Sequence, residues 1–121
     1  MRRLALALLT GVAVATLGAC ARRAPVDHAA LRAAVGGDTV VLLSATWCGY
    51  CSKLRADLDR WGVRYREYDV ENSPEGVRAA GVLRSPGVPV LLVGERRFVG
   101  YVPNQIHQSL SEAGLLPASA H

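Results

Sequence analysis

The feature that most constrains the fold is a continuous apolar run that leads into a pair of cysteines and then into a helical pattern. Residues 39–45 are aliphatic, β-branched or small, which is typical of a strand buried on both faces. The short run and the glycines before it disfavour a buried helix. From Gly49 onward, an amphipathic helix is expected to end near Gly62. Its apolar stripe consists of Cys51, Leu54, Leu58 and Trp61.

The rest of the chain predicts an α/β domain with one small mixed sheet and helices on both faces. Before the central strand and helix, we expect a helix over 27–35 capped by Asp27. After them, we expect a strand over 63–70, a helix from Pro74 to about Gly81, strands over 88–93 and 97–101, and a helix over 104–115. In this last helix, Ile106, Leu110 and Ala113 should face inward. The first two strands flank a helix and should be parallel, with a right-handed crossover. The last two should form an antiparallel hairpin.

The N-terminus has the pattern of an export signal. Arg2 and Arg3 precede 14 uncharged, mainly apolar residues over 4–17, too few for a membrane span but suitable for a signal peptide. The sequence over 17–20, Leu-Gly-Ala-Cys, resembles the lipobox of bacterial lipoproteins, which implies that Cys20 is lipidated and becomes the new N-terminus. The alternative is an ordinary cleavage site with a chance cysteine.

This interpretation divides the chain into a signal peptide (1–19), a lipidated tether (20–26), a folded domain (27–116) and a tail (117–121). It also explains the odd number of cysteines, because lipid on Cys20 leaves Cys48 and Cys51 as a closed pair. We expect an exported, periplasm-facing protein held at the membrane by its lipid, in a compartment where disulfides persist.

Charge indicates no nucleic-acid partner. The 14 basic and 10 acidic residues are interspersed, with no basic run or interleaved aromatic stripe of the kind that binds nucleic acid. Most of these charges are expected to be solvated. A monomer is expected.

The Cys48-x-x-Cys51 spacing between a strand and a helix predicts redox chemistry. Zinc would need two more ligands, and His28, His107 and His121 do not form a second pair. A structural disulfide would close too small a loop to add much stability. We expect Cys48, at an exposed helix start that stabilises its thiolate, to attack, and the inner Cys51 to resolve the mixed disulfide. No metal or resident cofactor is expected.

Two aromatic and two basic residues surround the pair. Trp47 and Tyr50 flank the cysteines and are candidates for substrate contact, with rim packing as the alternative. Lys53 and Arg55 lie in the first turns of the helix, where they either favour the thiolate or remain solvated.

Val88-Pro89 is the second candidate site. Proline at the start of a buried strand removes a hydrogen-bond donor from the sheet. A cis peptide bond here would turn the backbone of Val88 outward, leaving its N–H and C=O free to pair with a substrate backbone.

Together these residues resemble the thioredoxin-like superfamily, and its glutaredoxin branch most closely. The resemblance rests on Cys48-x-x-Cys51 after the first strand, Val88-Pro89 before the third, Gly100 after the fourth, and the run Gly-Val-x-Tyr-x-Glu-x-Asp-Val over 62–70. It implies a three-layer fold with a four-stranded mixed sheet, the helix over 27–35 being an extension. It also implies a cis Pro89 facing the cysteines and thiol–disulfide oxidoreductase activity.

Three departures from that family bear on the partner. The Gly49-Tyr50 dipeptide differs from the usual Pro-Tyr and Gly-Pro. Leu42 stands where thioredoxins carry a buried acid, as expected for the glutaredoxin branch. The segment from Gly100 to Asn104 lacks the acid that binds the amino end of glutathione. We therefore expect envelope-protein disulfides or dithiols as partners, with glutathione as a possible co-substrate. A non-catalytic binding module or metal-holding lipoprotein is the alternative.

Overall fold

The computed structural model describes residues 25–84 and 87–118, which form four helices and four strands. The elements in chain order are α1 (His28–Val35), β1 (Val40–Ser44), α2 (Gly49–Arg60), β2 (Arg66–Asp69), α3 (Pro74–Leu83), β3 (Val90–Val93), β4 (Arg96–Val99) and α4 (Pro103–Glu112). Polar side chains cap two of the helices: Asp27, as predicted, accepts from the Ala30 N–H, and Ser73 accepts from the Gly76 N–H.

The four strands form one mixed sheet in the order β2-β1-β3-β4. β1 pairs in parallel with β2 and antiparallel with β3, and β3 pairs antiparallel with β4. The predicted α/β class and the parallel and antiparallel pairings are confirmed. The central position of β1 follows from its sequence, because all five of its residues are buried and only an inner strand covered on both faces needs an unbroken apolar run.

Each face of the sheet has its own hydrophobic core. The core beneath α2 and α4 consists of Val40, Leu42, Leu54, Leu58, Val63, Leu91, Val93, Ile106 and Leu110. The core beneath α1 and α3 consists of Leu31, Ala34, Val35, Val41, Leu43, Ala79, Val90 and Leu92. Alternate residues of β1 enter opposite cores, as the two-residue period of a strand requires.

Several predicted boundaries are wrong for local reasons. β2 starts at Arg66 rather than Val63, because the Val63 N–H donates to the Leu58 carbonyl in the turn that ends α2. Gly62 in this turn has a φ of 68°, which confirms it as the predicted stop. α3 continues past Gly81 to Leu83, since the left-handed C-cap is Arg84, with a φ of 57°.

The end of α4 also differs from the prediction. The helix begins at Pro103 and ends at Glu112, and Ala113 is its exposed C-cap rather than an inward-facing residue. The third buried position is Ser109, beside Leu110. Gly114, with a φ of 68°, ends the helix one turn before the predicted boundary.

No helix within residues 25–84 and 87–118 is long and apolar enough to cross a membrane. The predicted signal peptide, Cys20 and most of the tether lie outside the described residues, as do residues 119–121 of the predicted tail.

Candidate active site

The cysteine pair lies at the junction between β1 and α2. Cys48 is the N-cap of α2, with extended backbone, and its Sγ accepts the Cys51 N–H at 3.1 Å. A disulfide joins Cys48 to Cys51, whose Cα atoms are 5.2 Å apart. The first sulfur therefore lies against the positive end of α2, where a backbone N–H can stabilise a thiolate.

The prediction of an exposed Cys48 is wrong for this disulfide form. Only 6% of Cys48 is accessible, and Cys51 is completely buried, because both pack in a small cluster with Ala45, Val70 and Val88. Cys48 is nevertheless the more accessible of the two. A substrate sulfur would therefore reach Cys48 before Cys51.

The two basic residues near the pair have partners of their own. Arg55 Nε donates to Glu67 Oε1 at 2.6 Å, and Lys53 Nζ lies 5.1 Å from the centroid of the Tyr50 ring. The geometry thus supports the helix N-terminus, rather than Arg55, as the group that stabilises a Cys48 thiolate.

Trp47 and Tyr50 form an exposed aromatic rim beside the cysteines. They are 70% and 59% accessible, so both remain candidates for substrate contact. Trp47 Nε1 donates to Glu71 Oε1 at 2.9 Å, which links the rim to the loop before α3. Such exposed aromatic residues offer apolar area to a docking chain.

Sequence reasoning missed a contact chain behind Tyr50. The Tyr50 ring stacks on Tyr101, with centroids 5.8 Å apart. The Tyr101 hydroxyl donates to Asp57 Oδ2 at 2.6 Å, and Arg60 donates to Asp57 Oδ1, also at 2.6 Å. The bond to Asp57 raises the pKa of Tyr101, with smaller contributions from desolvation and the Asp57 charge. The one sequence signal for this network is Asp57, an acid that lies beside the apolar stripe of α2, three residues after Leu54.

A second polar network lies next to the position where thioredoxins carry a buried acid. Leu42 is completely buried, but its register partner on β2 is Glu67. Glu67 Oε1 accepts from the Ser44 hydroxyl and from Arg55, both at 2.6 Å. The neighbouring strand thus supplies a carboxylate that is held between a serine and an arginine.

The Val88–Pro89 peptide bond is cis, in agreement with the geometry that the resemblance implies. The carbonyl of Pro89 accepts the Gly100 N–H at 2.8 Å, which ties the end of β4 to the start of β3. Val88 packs against the cysteine cluster. Within the part of the chain that the structure describes, no hydrogen bond of the Val88 backbone is found.

Among residues 25–84 and 87–118, no group of three or more His, Cys, Asp or Glu side chains is placed to hold a metal ion.

A cysteine pair at the N-terminus of α2, next to a cis-proline loop and on a β2-β1-β3-β4 sheet, defines a thioredoxin-like fold. Within this class, residues 40–99 match the glutaredoxin family model. This match includes both cysteines of the site and supports the glutaredoxin branch and a thiol oxidoreductase in general. No curated protein sequence gives a significant match.

Solved structures similar to this chain include three redoxins. Glutaredoxin C1 from Populus tremula x tremuloides is 26% identical, with a TM-score of 0.56, over 73% of this chain and 82% of that protein. A buckwheat glutaredoxin solved as its glutathione complex is 21% identical, with a TM-score of 0.57, over 74% and 88%. The glutaredoxin-like NrdH-redoxin from Escherichia coli is 19% identical, with a TM-score of 0.51, over 57% and 91%. The last two likenesses concern the fold alone.

Proposed function

We propose that the chain is a thiol–disulfide oxidoreductase of the cell envelope that exchanges disulfides with other envelope proteins. The observation that carries this proposal is the position of Cys48, whose sulfur caps α2 and accepts the Cys51 N–H. A thiolate at this position attacks disulfides, and Cys51 is already within bonding distance to complete the exchange.

The reductive direction takes two steps. The Cys48 thiolate attacks one sulfur of the substrate disulfide, whose S–S bond breaks, and the departing thiolate takes a proton from water. The Cys51 thiolate then attacks the Cys48 sulfur and releases the second substrate thiol, which is also protonated. The substrate gains two electrons and two protons, and the Cys48–Cys51 disulfide remains. The reverse steps oxidise a substrate dithiol.

Features around the pair favour a polypeptide substrate. Trp47 and Tyr50 offer exposed aromatic area, and the backbone of Val88 lies beside the cysteines with its polar groups available for an extended chain. The segment after β4 supplies Tyr101 and Asn104 where glutaredoxins supply an acid, and Tyr101 is stacked on Tyr50. Glutathione is the second candidate, favoured by the match to the glutaredoxin family model.

Location forms part of the proposal. Lipid on Cys20 would hold the domain at the periplasmic side of a membrane, through a tether of about seven residues. The sequence over 1–20 supports this, since a short apolar segment ends in Leu-Gly-Ala-Cys. Labelling cells with a fatty-acid analogue tests it. The label should appear in the wild-type chain and disappear in Cys20→Ser, whereas an unlabelled wild-type chain would contradict the anchor.

The activity is tested by parallel turnover assays on the purified protein, with the disulfide of insulin and a glutathione mixed disulfide as substrates. We expect insulin reduction by the wild-type protein, background rates for Cys48→Ser, and slower turnover of the glutathione substrate. Faster turnover of the glutathione substrate would contradict the substrate class. Titratable thiols without turnover of either substrate would favour a binding module, and stoichiometric copper or zinc would favour metal holding.

A further inference from the structure

A groove of about 1190 Å³ lies on the α1/α3 face of the sheet, apart from the cysteines. It runs between α1, the second half of α3 and the outer side of β4. Its apolar lining includes Ala34, Val82, Val90 and Val99. Neither Cys48 nor Cys51 lines it.

The groove exists because α1 and α3 cover only part of their face. On β4, Phe98 packs against the α2/α4 core, whereas Val99, which points to the opposite face, is 58% accessible. Neighbouring Arg97 is also exposed. The α1/α3 side of β4 is therefore left without a helix over it.

Arginines dominate the charge of this groove. Arg78, Arg84 and Arg97 line it, and all three are exposed. Among the described residues, Arg84 and Arg97 have no ion pair. Arg78 Nη2 lies 3.9 Å from Glu75 Oε1. The acid in the lining, Asp27, caps α1 through the Ala30 N–H. An apolar lining with cations around it fits an anionic amphiphilic surface.

The start of the domain brings this groove close to the proposed anchor. Pro25 and Val26 line the groove. Only four residues separate Cys20 from Pro25, so the two Cα atoms are at most about 18 Å apart when the chain is fully extended. Arg22 and Arg23 lie in this interval. Because like charges repel, the two tether arginines and the three groove arginines disfavour the tether itself as the occupant of the groove. An anionic surface would neutralise all five.

We propose that the α1/α3 groove docks the domain on a membrane surface containing anionic phospholipid, with the cysteine pair left free for protein substrates. This inference rests on the proposed lipidation of Cys20, which brings the groove to the bilayer. Each arginine near an anionic surface contributes roughly fivefold to partitioning, so the arginines hold the domain in one orientation after the lipid has anchored it.

The test uses the mature lipidated protein in vesicles of phosphatidylcholine alone or mixed with phosphatidylglycerol. Arginines are labelled with phenylglyoxal and read by peptide mass spectrometry. We expect severalfold protection of Arg78, Arg84 and Arg97 in the mixed vesicles, none in phosphatidylcholine, and loss of protection at high salt. Arg64 and Arg66, near Asp38 and Glu67 in a separate pocket, serve as internal controls and should label equally in both.

Each negative result has its own meaning. Failure to join either vesicle would overturn the anchor and, with it, the docking surface. Anchored protein with equal labelling in both vesicles would overturn the docking surface alone. Protection that appears only after an envelope-protein extract is added would assign the groove to a protein and contradict a lipid surface.

A matched pair of double variants gives a second readout, the rate of transfer from mixed vesicles to acceptor vesicles. Arg84→Gln with Arg97→Gln should leave the mixed vesicles about 25-fold faster than the wild type. Arg64→Gln with Arg66→Gln removes the same charge elsewhere and should leave the rate unchanged. Equal rates for the two variants would contradict the proposal.

Discussion

Each face of the sheet has an apolar core, but the polar side chains around the two cores differ in their hydrogen-bond and ion-pair partners. On the α2/α4 face, Asp57, Glu67 and Tyr101 all have short hydrogen bonds to side chains. On the α1/α3 face, Arg84 and Arg97 border a groove and have no ion pair within the described residues. The first arrangement holds geometry in place next to the cysteines. The second leaves charge available to a partner.

The difference originates in how each face is covered. α2 and α4 reach across the sheet to β4, where Phe98 joins their core. α1 and α3 pack on each other and on the inner strands, and Val99 on β4 stays exposed. A four-stranded sheet with two helices on each face can thus combine a fixed catalytic side with a side open for docking.

The largest stability effect is expected where α3 meets the end of β2. A Cβ on Gly76 would lie 2.0 Å from the Asp69 carbonyl oxygen, so Gly76→Ala forces backbone apart. We expect a loss of about 3 kcal/mol in the free energy of unfolding, measured by chemical denaturation.

Gly81 in the same helix is the matched control. A Cβ there has no neighbour within 4 Å, so Gly81→Ala should stabilise the protein by about 0.5–1 kcal/mol through helix propensity. Equal changes in the free energy of unfolding at the two glycines would contradict the close contact between Gly76 and the Asp69 carbonyl.

The next effect separates the two sides of β4. Phe98→Ala removes a partly buried ring from the α2/α4 core and should cost about 2 kcal/mol, below the roughly 3–5 kcal/mol of a fully buried phenylalanine. Val99→Ala, one residue on, should change stability by less than about 0.5 kcal/mol. Thermal and denaturant unfolding of both variants measure the contrast. A comparable loss at Val99 would mean that the α1/α3 side of β4 is covered.

The smallest effect concerns the hydrogen bond from Tyr101 to Asp57, which raises the Tyr101 pKa above 10.0. The folded state then keeps the phenol proton to a higher pH than the unfolded state. This contribution to stability is therefore complete below about pH 10 and is lost as the pH rises through the folded pKa. Denaturation curves across this range should fall less steeply for Tyr101→Phe than for the wild type.

Tyr65 titrates in the same direction, because burial followed by the nearby Asp59 and Glu67 charges raises its pKa. Tyr65→Phe is therefore the comparison variant. Asp57→Asn should change the pH dependence of stability in the wild type and in Tyr65→Phe. It should have no such effect in Tyr101→Phe, because the hydrogen bond to Asp57 is already lost there. An identical pH profile in Tyr101→Phe and the wild type would contradict this bond.

Local patterns in the sequence predict most of the fold. The unbroken apolar run around Leu42 predicts an inner strand, and Asp27, Ser73 and Gly62 mark helix ends through interactions within four or five residues of themselves. The errors occur where two local demands compete. Val63 has strand propensity, but its N–H donates a hydrogen bond in the turn after α2. Gly81 is typical of a helix end, but the helix continues until Arg84 takes the left-handed conformation.

The candidate site shows the same division. The spacing of Cys48 and Cys51 predicts their pairing, but the burial of Cys48 depends on Val70 and Val88, which lie far along the chain. The contact between Asp57 and Tyr101 joins residues 44 apart. Nothing in a local pattern specifies such a contact, because it arises only when the end of β4 folds over α2.

Attack by Cys48 and resolution by Cys51 are tested most directly by trapping mixed disulfides in cells that express the full chain with Cys51→Ser. The trapped species are analysed by non-reducing electrophoresis and mass spectrometry. We expect disulfide-linked envelope proteins joined through Cys48, absent from Cys48→Ser and from the double variant. Trapping by Cys48→Ser instead, through Cys51, would reverse the assigned roles, and no trapped species in any variant would contradict exchange with proteins.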